Sequence, residues 1–299
     1  MYQNPAPPVV QSAYSESKSR ENTPKMLPED HIYQSVYNYN TFVIPEYKLI
    51  FFTFPKVACS EWKRMLMRMN GNPGWCSLTN PHDPKKHKMK TLLDHAPDVA
   101  AAMMTSPTWT KVAIFREPKE RILSAFLDKA VRHPTYYVKR CCQNLPDKNL
   151  EKQCIDNKLK FDSFLHFVTK CPKECYDAHW EAQVAKIDFK WWPYIDVIGY
   201  QNNLVMDSQR ILKMLHSDRD QVKGRSAWDR YGSTGWGAPG EECGNRTHSF
   251  METNQSPDKM NTSNHLMEWY AAETEKLVEE KWAIEWQQKR VHFPEIKLF

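Results

Sequence analysis

The segment "FFTFPKVACSEWK", residues 51–63, joins a buried strand to a helix. Its first four residues belong to the apolar run "KLIFFTF" (48–54), which is short and unbroken, as is typical of a buried parallel strand. A helix is predicted to follow, because apolar residues from Trp62 to Met69 recur at the spacing of one helical face. Lys56 therefore lies where a strand ends and a helix begins.

The same alternation returns twice along the chain. The run "KVAIF" (111–115) predicts a second buried strand, and Pro118 suits the first turn of the helix after it. The run "YIDVIGY" (194–200) predicts a third strand, followed by the helical pattern "NLVMDSQRILKML" (203–215). Strands that alternate with helices predict an α/β fold with a mainly parallel sheet.

The remaining segments are assigned by composition and periodicity. Further helices are predicted at 161–169, 177–187 and 263–290, and loops at 77–90 and 223–246. Residues 1–28 are rich in Pro and Ser and are predicted to form a disordered lead. Residues 29–299 are predicted to form a single domain, with a charged, Cys-containing insertion at about 139–160.

Charge and hydropathy narrow the classes of partner. A net charge of +5 and a pI near 8.6 favour an anionic ligand. No basic run or nucleic-acid signature is present, so no nucleic-acid partner is expected. No stretch approaches the roughly 18 apolar residues that span a bilayer, so no membrane contact is expected from this chain itself. The sequence predicts no particular oligomeric state.

The eight Cys residues leave two alternatives open. Five of them lie within 141–175, at spacings that match no zinc motif, so no metal site is predicted. One alternative is a disulfide-tied excursion in a secretory compartment, and the other is a set of reduced thiols in a cytosolic protein. Asn-X-Ser/Thr sequons at Asn245, Asn254 and Asn261 slightly favour the first.

The two strand-to-helix turns predict an anion site. The N–H groups of residues 57–61 have no partner within their helix and lie at the positive end of its dipole. Lys56, Ser60 and Lys63 add two charges and a hydroxyl, but the glycines of a P-loop are absent, which disfavours a Walker-type ATPase. The second turn, "FREPKERILSAF" (115–126), adds Arg116 and Ser124, so a ligand with two separate phosphate groups is expected.

These motifs resemble a known family. "FPKVACSEWKRML" (54–66) resembles the 5′-phosphosulfate-binding segment of carbohydrate sulfotransferases, with the chondroitin/dermatan 4-O-sulfotransferase branch as the most similar. "FREPKERILSAFLDK" (115–129) resembles the 3′-phosphate-binding segment of that branch. The segments 177–204 and 270–293 also resemble family segments, and the similarity covers about residues 43–293.

The resemblance implies a P-loop-NTPase-like sulfotransferase fold and 3′-phosphoadenosine-5′-phosphosulfate (PAPS) as donor. It also implies a carbohydrate hydroxyl as acceptor and the Golgi lumen as location, with the cytoplasm as the alternative. Arg116 and Ser124 are then expected to hold the 3′-phosphate. The expected 5′-phosphosulfate side comprises Lys56, Val57, Ala58, Cys59, Ser60, Glu61, Trp62 and Lys63.

Three departures qualify the similarity. The first is Glu61, which stands where the family has a neutral residue. Its neighbour Trp62 is not a departure, and it is expected mainly to pack its helix on the sheet. The sequences "FKWW" (189–192) and "QNN" (201–203) also differ from the family pattern, and these changes concern the acceptor.

Sulfuryl transfer needs charge stabilisation and a base. Lys56 is expected to stabilise the bridging oxygen, and with these cations present no metal is required. The family resemblance places a His between the two motifs, here His82, His87 or His95, and His179 is another candidate. We rank His87 first as general base, then His82, then His179. The alternatives are an ATP-using, kinase-like enzyme and an inactive PAPS-binding protein of the same fold.

Overall fold

The fold is built on a four-stranded mixed sheet in the order β1-β2-β3-β4. The computed structural model describes residues 41–75, 80–171, 173–187, 189–217, 224–232 and 266–283. The strands are β1 (Thr41–Ile44), β2 (Leu49–Phe52), β3 (Thr110–Phe115) and β4 (Val197–Tyr200). The last three strands run parallel and match the three predicted from the sequence, which confirms the α/β class.

Parallel pairing brings the carboxyl ends of three strands to one edge. Phe52 at the end of β2 pairs with Ala113, and Phe115 at the end of β3 pairs with Tyr200. The segments that leave these strands therefore start close together, and they contain the two motifs that the sequence analysis singled out. Strand β1 was not predicted, and it pairs antiparallel with β2 through a tight 3-10 turn at Pro45–Tyr47.

Helices surround the sheet along the described part of the chain. The first group comprises α1 (Cys59–Met69), α2 (Pro84–His87), α3 (Pro97–Thr105) and α4 (Pro118–Phe126). The second comprises α5 (Pro134–Arg140), α6 (Lys148–Asp156), α7 (Phe161–Lys170), α8 (Leu204–Met214), α9 (Ala227–Tyr231), α10 (Leu266–Trp269) and α11 (Ala272–Lys281). Within the described ranges, none of these helices has the length and apolar character to cross a membrane.

The helix predicted at 177–187 is wrong. The structure has turns there, with a single 3-10 helix at Val184–Lys186. Asp177 accepts a hydrogen bond from the backbone N–H of His179, and Gln183 uses its side chain to bond the backbone of Arg116. Such side-chain bonds to backbone groups compete with the helical hydrogen-bond pattern.

Other element boundaries also differ from the prediction. The helix predicted at 263–290 is divided into α10 and α11 by a break at Tyr270, whose hydroxyl donates to the carbonyl of Lys119. The loops predicted at 77–90 and 223–246 contain the short helices α2 and α9, and α3 was not predicted. Residues 1–28, the three sequons and residues 284–290 lie outside the described residues.

The buried apolar residues form two clusters. One surrounds the sheet and includes α1, α3 and α8. The other joins α4 to α7 with Trp180 and α11, and it contains the Cys-rich segment. Cys141 bonds to Cys175 and Cys142 bonds to Cys154, so the segment is tied by disulfides, whereas the secretory compartment stays a prediction. The number of independent domains stays a prediction.

The Cys142–Cys154 disulfide is expected to stabilise the second cluster. It joins positions 12 residues apart, and closing such a loop removes conformations from the unfolded chain. Replacing both cysteines by serine should lower the free energy of unfolding by about 2–4 kcal/mol, measured by urea denaturation. Cys171→Ser is the control, because Cys171 is a free, half-buried thiol. Equal midpoints for both variants would show that the crosslink adds nothing.

Candidate functional site

The loop after β2 turns sharply before α1. Lys56 and Ala58 both have left-handed backbone conformations, with φ of 69° and 59°. Ala58 caps α1 without a side-chain hydrogen bond to the first helical N–H groups. Strained non-Gly residues of this kind concentrate at functional sites, and such turns aim successive N–H groups into an anion-binding concavity. The geometry therefore agrees with an anion site at the start of α1.

Lys56 contacts a carboxylate that the sequence analysis did not select. Its Nζ lies 2.9 Å from Oδ2 of Asp128, and the Nζ of Lys129 lies 3.3 Å from the same oxygen. Burial acts to raise the pKa of Asp128, but the two lysines outweigh it and lower the pKa to about 2. Asp128 and Lys129 belong to a π-helical turn, Leu127–Arg132, that extends α4. Such turns are frequent at functional sites.

Arg116 connects the two strand ends. Its Nη1 donates to the carbonyl of Lys56 at 3.2 Å, and its Nε lies 3.3 Å from Oε2 of Glu120. The buried side chain of Gln183 accepts from the backbone N–H of Arg116 and donates to its carbonyl, both at 2.9 Å. Gln183 thus fixes the backbone at the point where β3 ends. Ser124 is buried on α4, two turns further along.

The start of α1 is linked to His82. The Oγ of Ser60 lies 2.8 Å from Nε2 of His82, and the Nζ of Lys63 lies 3.1 Å from Nδ1 of the same ring. Burial lowers the pKa of Lys63 and raises that of Cys59, so the Cys59 thiol is held in its neutral form.

His179 belongs to a hydrogen-bonded chain around a buried carboxylate. Its Nδ1 donates to Oδ1 of Asp177 at 2.5 Å, and the hydroxyl of Tyr136 donates to Oδ2 at 2.5 Å. Burial acts to raise the pKa of Asp177, but the bonds from His179 and Tyr136 outweigh it and lower the pKa. A carboxylate on Nδ1 leaves Nε2 as the basic nitrogen of the ring, as in other acid–His pairs.

Arg121 and a disulfide hold the segment that contains His179. The fully buried Arg121 of α4 donates to the carbonyls of His179 at 2.8 Å and Glu181 at 2.5 Å. The Cys141–Cys175 disulfide joins the end of α5, the helix that carries Tyr136, to the residue two positions before Asp177. These contacts hold the Asp177–His179 pair against α4 and α5.

Two lysines, one from each motif, act on the pKa of His179. Burial lowers its pKa, Asp177 acts in the opposite direction, and Lys129 and Lys56 lower it further. The Nζ of Lys129 also lies 5.1 Å from the centre of the Tyr136 ring. Lys56 and Lys129 thus act electrostatically on His179, although they are far from it in sequence.

Other predicted site residues have different surroundings. His87 is buried against Phe42, with ring centres 5.3 Å apart, and its Nδ1 accepts from the N–H of Met89. Trp62 is buried and packs on Phe51 of β2, as expected of a residue that joins helix and sheet.

Three more predicted residues complete the 5′ side. Val57 is buried, whereas Ala58 and Glu61 are partly exposed at the start of α1. His95 lies on the loop before α3, where burial lowers its pKa. These placements favour His179 and His82 over His87 as residues of the site, and each assigned role stays a prediction.

The sequence matches a known protein family over the region that contains this site. The model of the family described as "Sulfotransferase family" matches residues 39–235, which include both strand-to-helix turns and His179. The chain belongs to the sulfotransferase family. The matched range also contains β1 to β4, so the family region coincides with the described sheet.

The chain is similar to several carbohydrate sulfotransferases, in agreement with the resemblance found in the motifs. It is 28% identical to human carbohydrate sulfotransferase 9 over 214 residues, which is 69% of this chain and 46% of the relative. It is 26% identical to rat carbohydrate sulfotransferase 10 over 190 residues, or 58% and 51% of the two chains. Rat carbohydrate sulfotransferase 11 is 24% identical over 185 residues, or 56% and 51%.

The matches leave part of each relative uncovered. The chain spans about half the length of the curated relatives it matches. No solved structure matches this chain. Which branch of the carbohydrate enzymes it belongs to stays a prediction. In the described ranges, no group of three or more His, Cys, Asp or Glu side chains is arranged to hold a metal ion, and the metal requirement also stays a prediction.

Proposed function

We propose that this protein transfers the sulfuryl group of PAPS to a hydroxyl of a carbohydrate acceptor. The observation that carries the proposal is the hydrogen bond of 3.2 Å between Arg116 Nη1 and the Lys56 carbonyl. It joins two cationic strand ends, each followed by a helix, as a donor with separate 5′-phosphosulfate and 3′-phosphate groups requires. The names of the relatives support a carbohydrate as the class of acceptor.

The proposed donor site follows the two turns. The N–H groups at the start of α1, with Ser60 and Lys63, bind the 5′-phosphosulfate. Arg116 and Ser124 bind the 3′-phosphate. Lys56 leaves Asp128 to stabilise the bridging oxygen, where negative charge develops as the sulfur–oxygen bond breaks.

His179 is the proposed general base. The acceptor hydroxyl attacks sulfur in line, its proton passes to Nε2 of His179, and adenosine 3′,5′-bisphosphate leaves. Asp177 orients the ring through Nδ1 and stabilises the imidazolium that forms. This assignment replaces His87 as the first choice, because the His87 ring is buried and its Nδ1 is occupied by the Met89 N–H.

The two disulfides support an oxidising compartment. We therefore infer that the protein works in the Golgi lumen, as the family resemblance implies, and not in the cytoplasm. The rival proposal is a kinase-like enzyme that uses ATP. The sequence does not favour it, because the glycine-rich phosphate loop of such enzymes is absent.

The transfer itself is tested with labelled donor. The protein is incubated with PAPS carrying labelled sulfur and a panel of carbohydrate acceptors, and label in the acceptor is measured together with adenosine 3′,5′-bisphosphate. Equal amounts of both products are expected. Label that appears only as free sulfate, for every acceptor in the panel, would contradict carbohydrate transfer.

Arg116 is expected to recognise the 3′-phosphate. Losing a charge-assisted hydrogen bond costs about 1.5–3 kcal/mol, so Arg116→Ala should weaken the binding of adenosine 3′,5′-bisphosphate by about 10- to 150-fold. Binding of adenosine 5′-phosphate should stay within a few-fold, and calorimetry measures both. Lys148→Ala is the control, because Lys148 is highly exposed on α6. Equal losses for both nucleotides would show that Arg116 acts on the fold and not on the 3′-phosphate.

A further inference from the structure

His82 occupies a position between two residues of the proposed donor site. Its Nε2 is 2.8 Å from the Ser60 hydroxyl, and its Nδ1 is 3.1 Å from the Lys63 ammonium. Ser60 and Lys63 lie in the first two turns of α1, whereas His82 lies in the segment before α2. A single ring from outside the helix therefore contacts two side chains that would meet the same anion.

The chemistry of Lys63 fixes which ring nitrogen carries the proton. An ammonium group only donates hydrogen bonds, so Nδ1 of His82 must accept. In the neutral ring the other nitrogen, Nε2, then carries the hydrogen and donates to Oγ of Ser60. The Ser60 hydroxyl accepts this bond, and its own hydrogen is directed elsewhere, where an anion can receive it.

The electrostatics keep this ring neutral. Although His82 lies at the surface, its nitrogens face Ser60 and Lys63. Desolvation by the surrounding residues lowers the pKa of His82 to about 3, with further contributions from Lys63, His179 and Lys129. A ring with both nitrogens engaged in this way is poorly suited to take a proton from an acceptor.

We infer that His82 is a positioning residue of the donor site, which holds Lys63 and orients the Ser60 hydroxyl as a hydrogen-bond donor to the 5′-phosphosulfate. The inference rests on the proposed function and assigns His82 a role other than general base. Without the ring, Lys63 and the Ser60 hydroxyl sample other orientations, and donor binding loses part of its preorganisation. The effect therefore falls on donor affinity more than on the chemical step.

Two substitutions separate positioning from base catalysis. His82→Gln keeps one acceptor for Lys63 and one donor for Ser60 but does not titrate, whereas His82→Phe removes both. We expect His82→Phe to raise the KM for PAPS and the Kd of adenosine 3′,5′-bisphosphate about tenfold, with kcat within a few-fold. His82→Gln should bring both constants back to within about threefold of the wild-type values. In both variants kcat should still fall at low pH as it does in the wild type, so that the acidic limb of the pH–kcat profile is kept.

Each other outcome overturns the inference. If both variants bind the bisphosphate like wild type but lose kcat by about 100-fold together with the acidic limb, His82 is the base. If both behave like wild type in binding and turnover, the ring has no role in the donor site. Should His82→Phe not fold, His82→Ala takes its place, since it also removes both contacts: weaker binding of the bisphosphate with the acidic limb intact supports positioning, and wild-type binding or loss of the acidic limb contradicts it.

Two controls keep this test separate from the proposed function. His166→Phe replaces an exposed His of α7 and should change neither constant. Failure of the wild-type protein itself to bind the bisphosphate would contradict the proposed function and not the role of His82 within it. Nitrogen-15 chemical shifts of the unliganded protein give a readout without activity: an Nε2–H tautomer is expected, and an Nδ1–H tautomer overturns the inference.

Discussion

Replacing Lys56 by alanine is expected to lower kcat by about 100-fold or more. In the proposed reaction, the ammonium group meets an oxygen whose charge develops only as the sulfur–oxygen bond breaks, so the loss falls on the transition state. The KM for PAPS should change much less than kcat. Steady-state transfer rates, measured against donor concentration, give both constants.

Lys148→Ala is the matched control for this variant, since it removes a lysine charge that is highly exposed and distant in sequence. Binding of adenosine 3′,5′-bisphosphate to Lys56→Ala shows whether the donor site survives the substitution. Near-normal turnover in Lys56→Ala would contradict the role of Lys56 as the stabiliser of the leaving oxygen.

Replacing His179 by alanine is expected to lower kcat by about 100-fold or more while PAPS affinity stays within a few-fold. The base acts only when it is neutral, so wild-type kcat should rise with pH through the pKa of His179 and then level off. Burial, with Lys129 and Lys56, places this pKa in the free protein below the ordinary value of 6.5. The acidic limb should disappear in His179→Ala.

Asp177 provides a second check on the same assignment. The Asp177 carboxylate raises the pKa of His179, so Asp177→Asn should move the acidic limb to lower pH as well as lower kcat. His166→Ala, on the exposed side of α7, is the control for both variants. An unchanged acidic limb in His179→Ala would show that the base is another residue; His82 and His87 would then be tested, and Glu61 after them.

The parts of the site that the sequence predicted are those encoded within one strand-to-helix unit. Lys56, Ser60 and Lys63 lie on the turn and the helix that directly follow β2, and Arg116 follows β3 directly, so periodicity and chain order were sufficient to group them. The parallel order of β2 and β3 then brought the two units together, as an α/β fold requires.

The site residues that could not be predicted contact partners that are distant in the sequence. Asp128 contacts Lys56 over 72 positions, and Gln183 contacts Arg116 over 67, so no local pattern connects them. The motif "DAHW" (177–180) did carry one usable signal, because a carboxylate two residues before a His can bond both its backbone N–H and its ring. The burial of His87 against Phe42 could not be predicted from the sequence either, because it depends on tertiary packing, and its role stays a prediction.

The most direct test of a PAPS-dependent sulfotransferase is a calorimetric titration of the wild-type protein with adenosine 3′,5′-bisphosphate and, separately, with ATP. The account predicts that the bisphosphate binds at least about tenfold more tightly, because Arg116 at the end of β3 recognises a 3′-phosphate that ATP lacks. ATP binding as tight as, or tighter than, that of the bisphosphate would contradict the account.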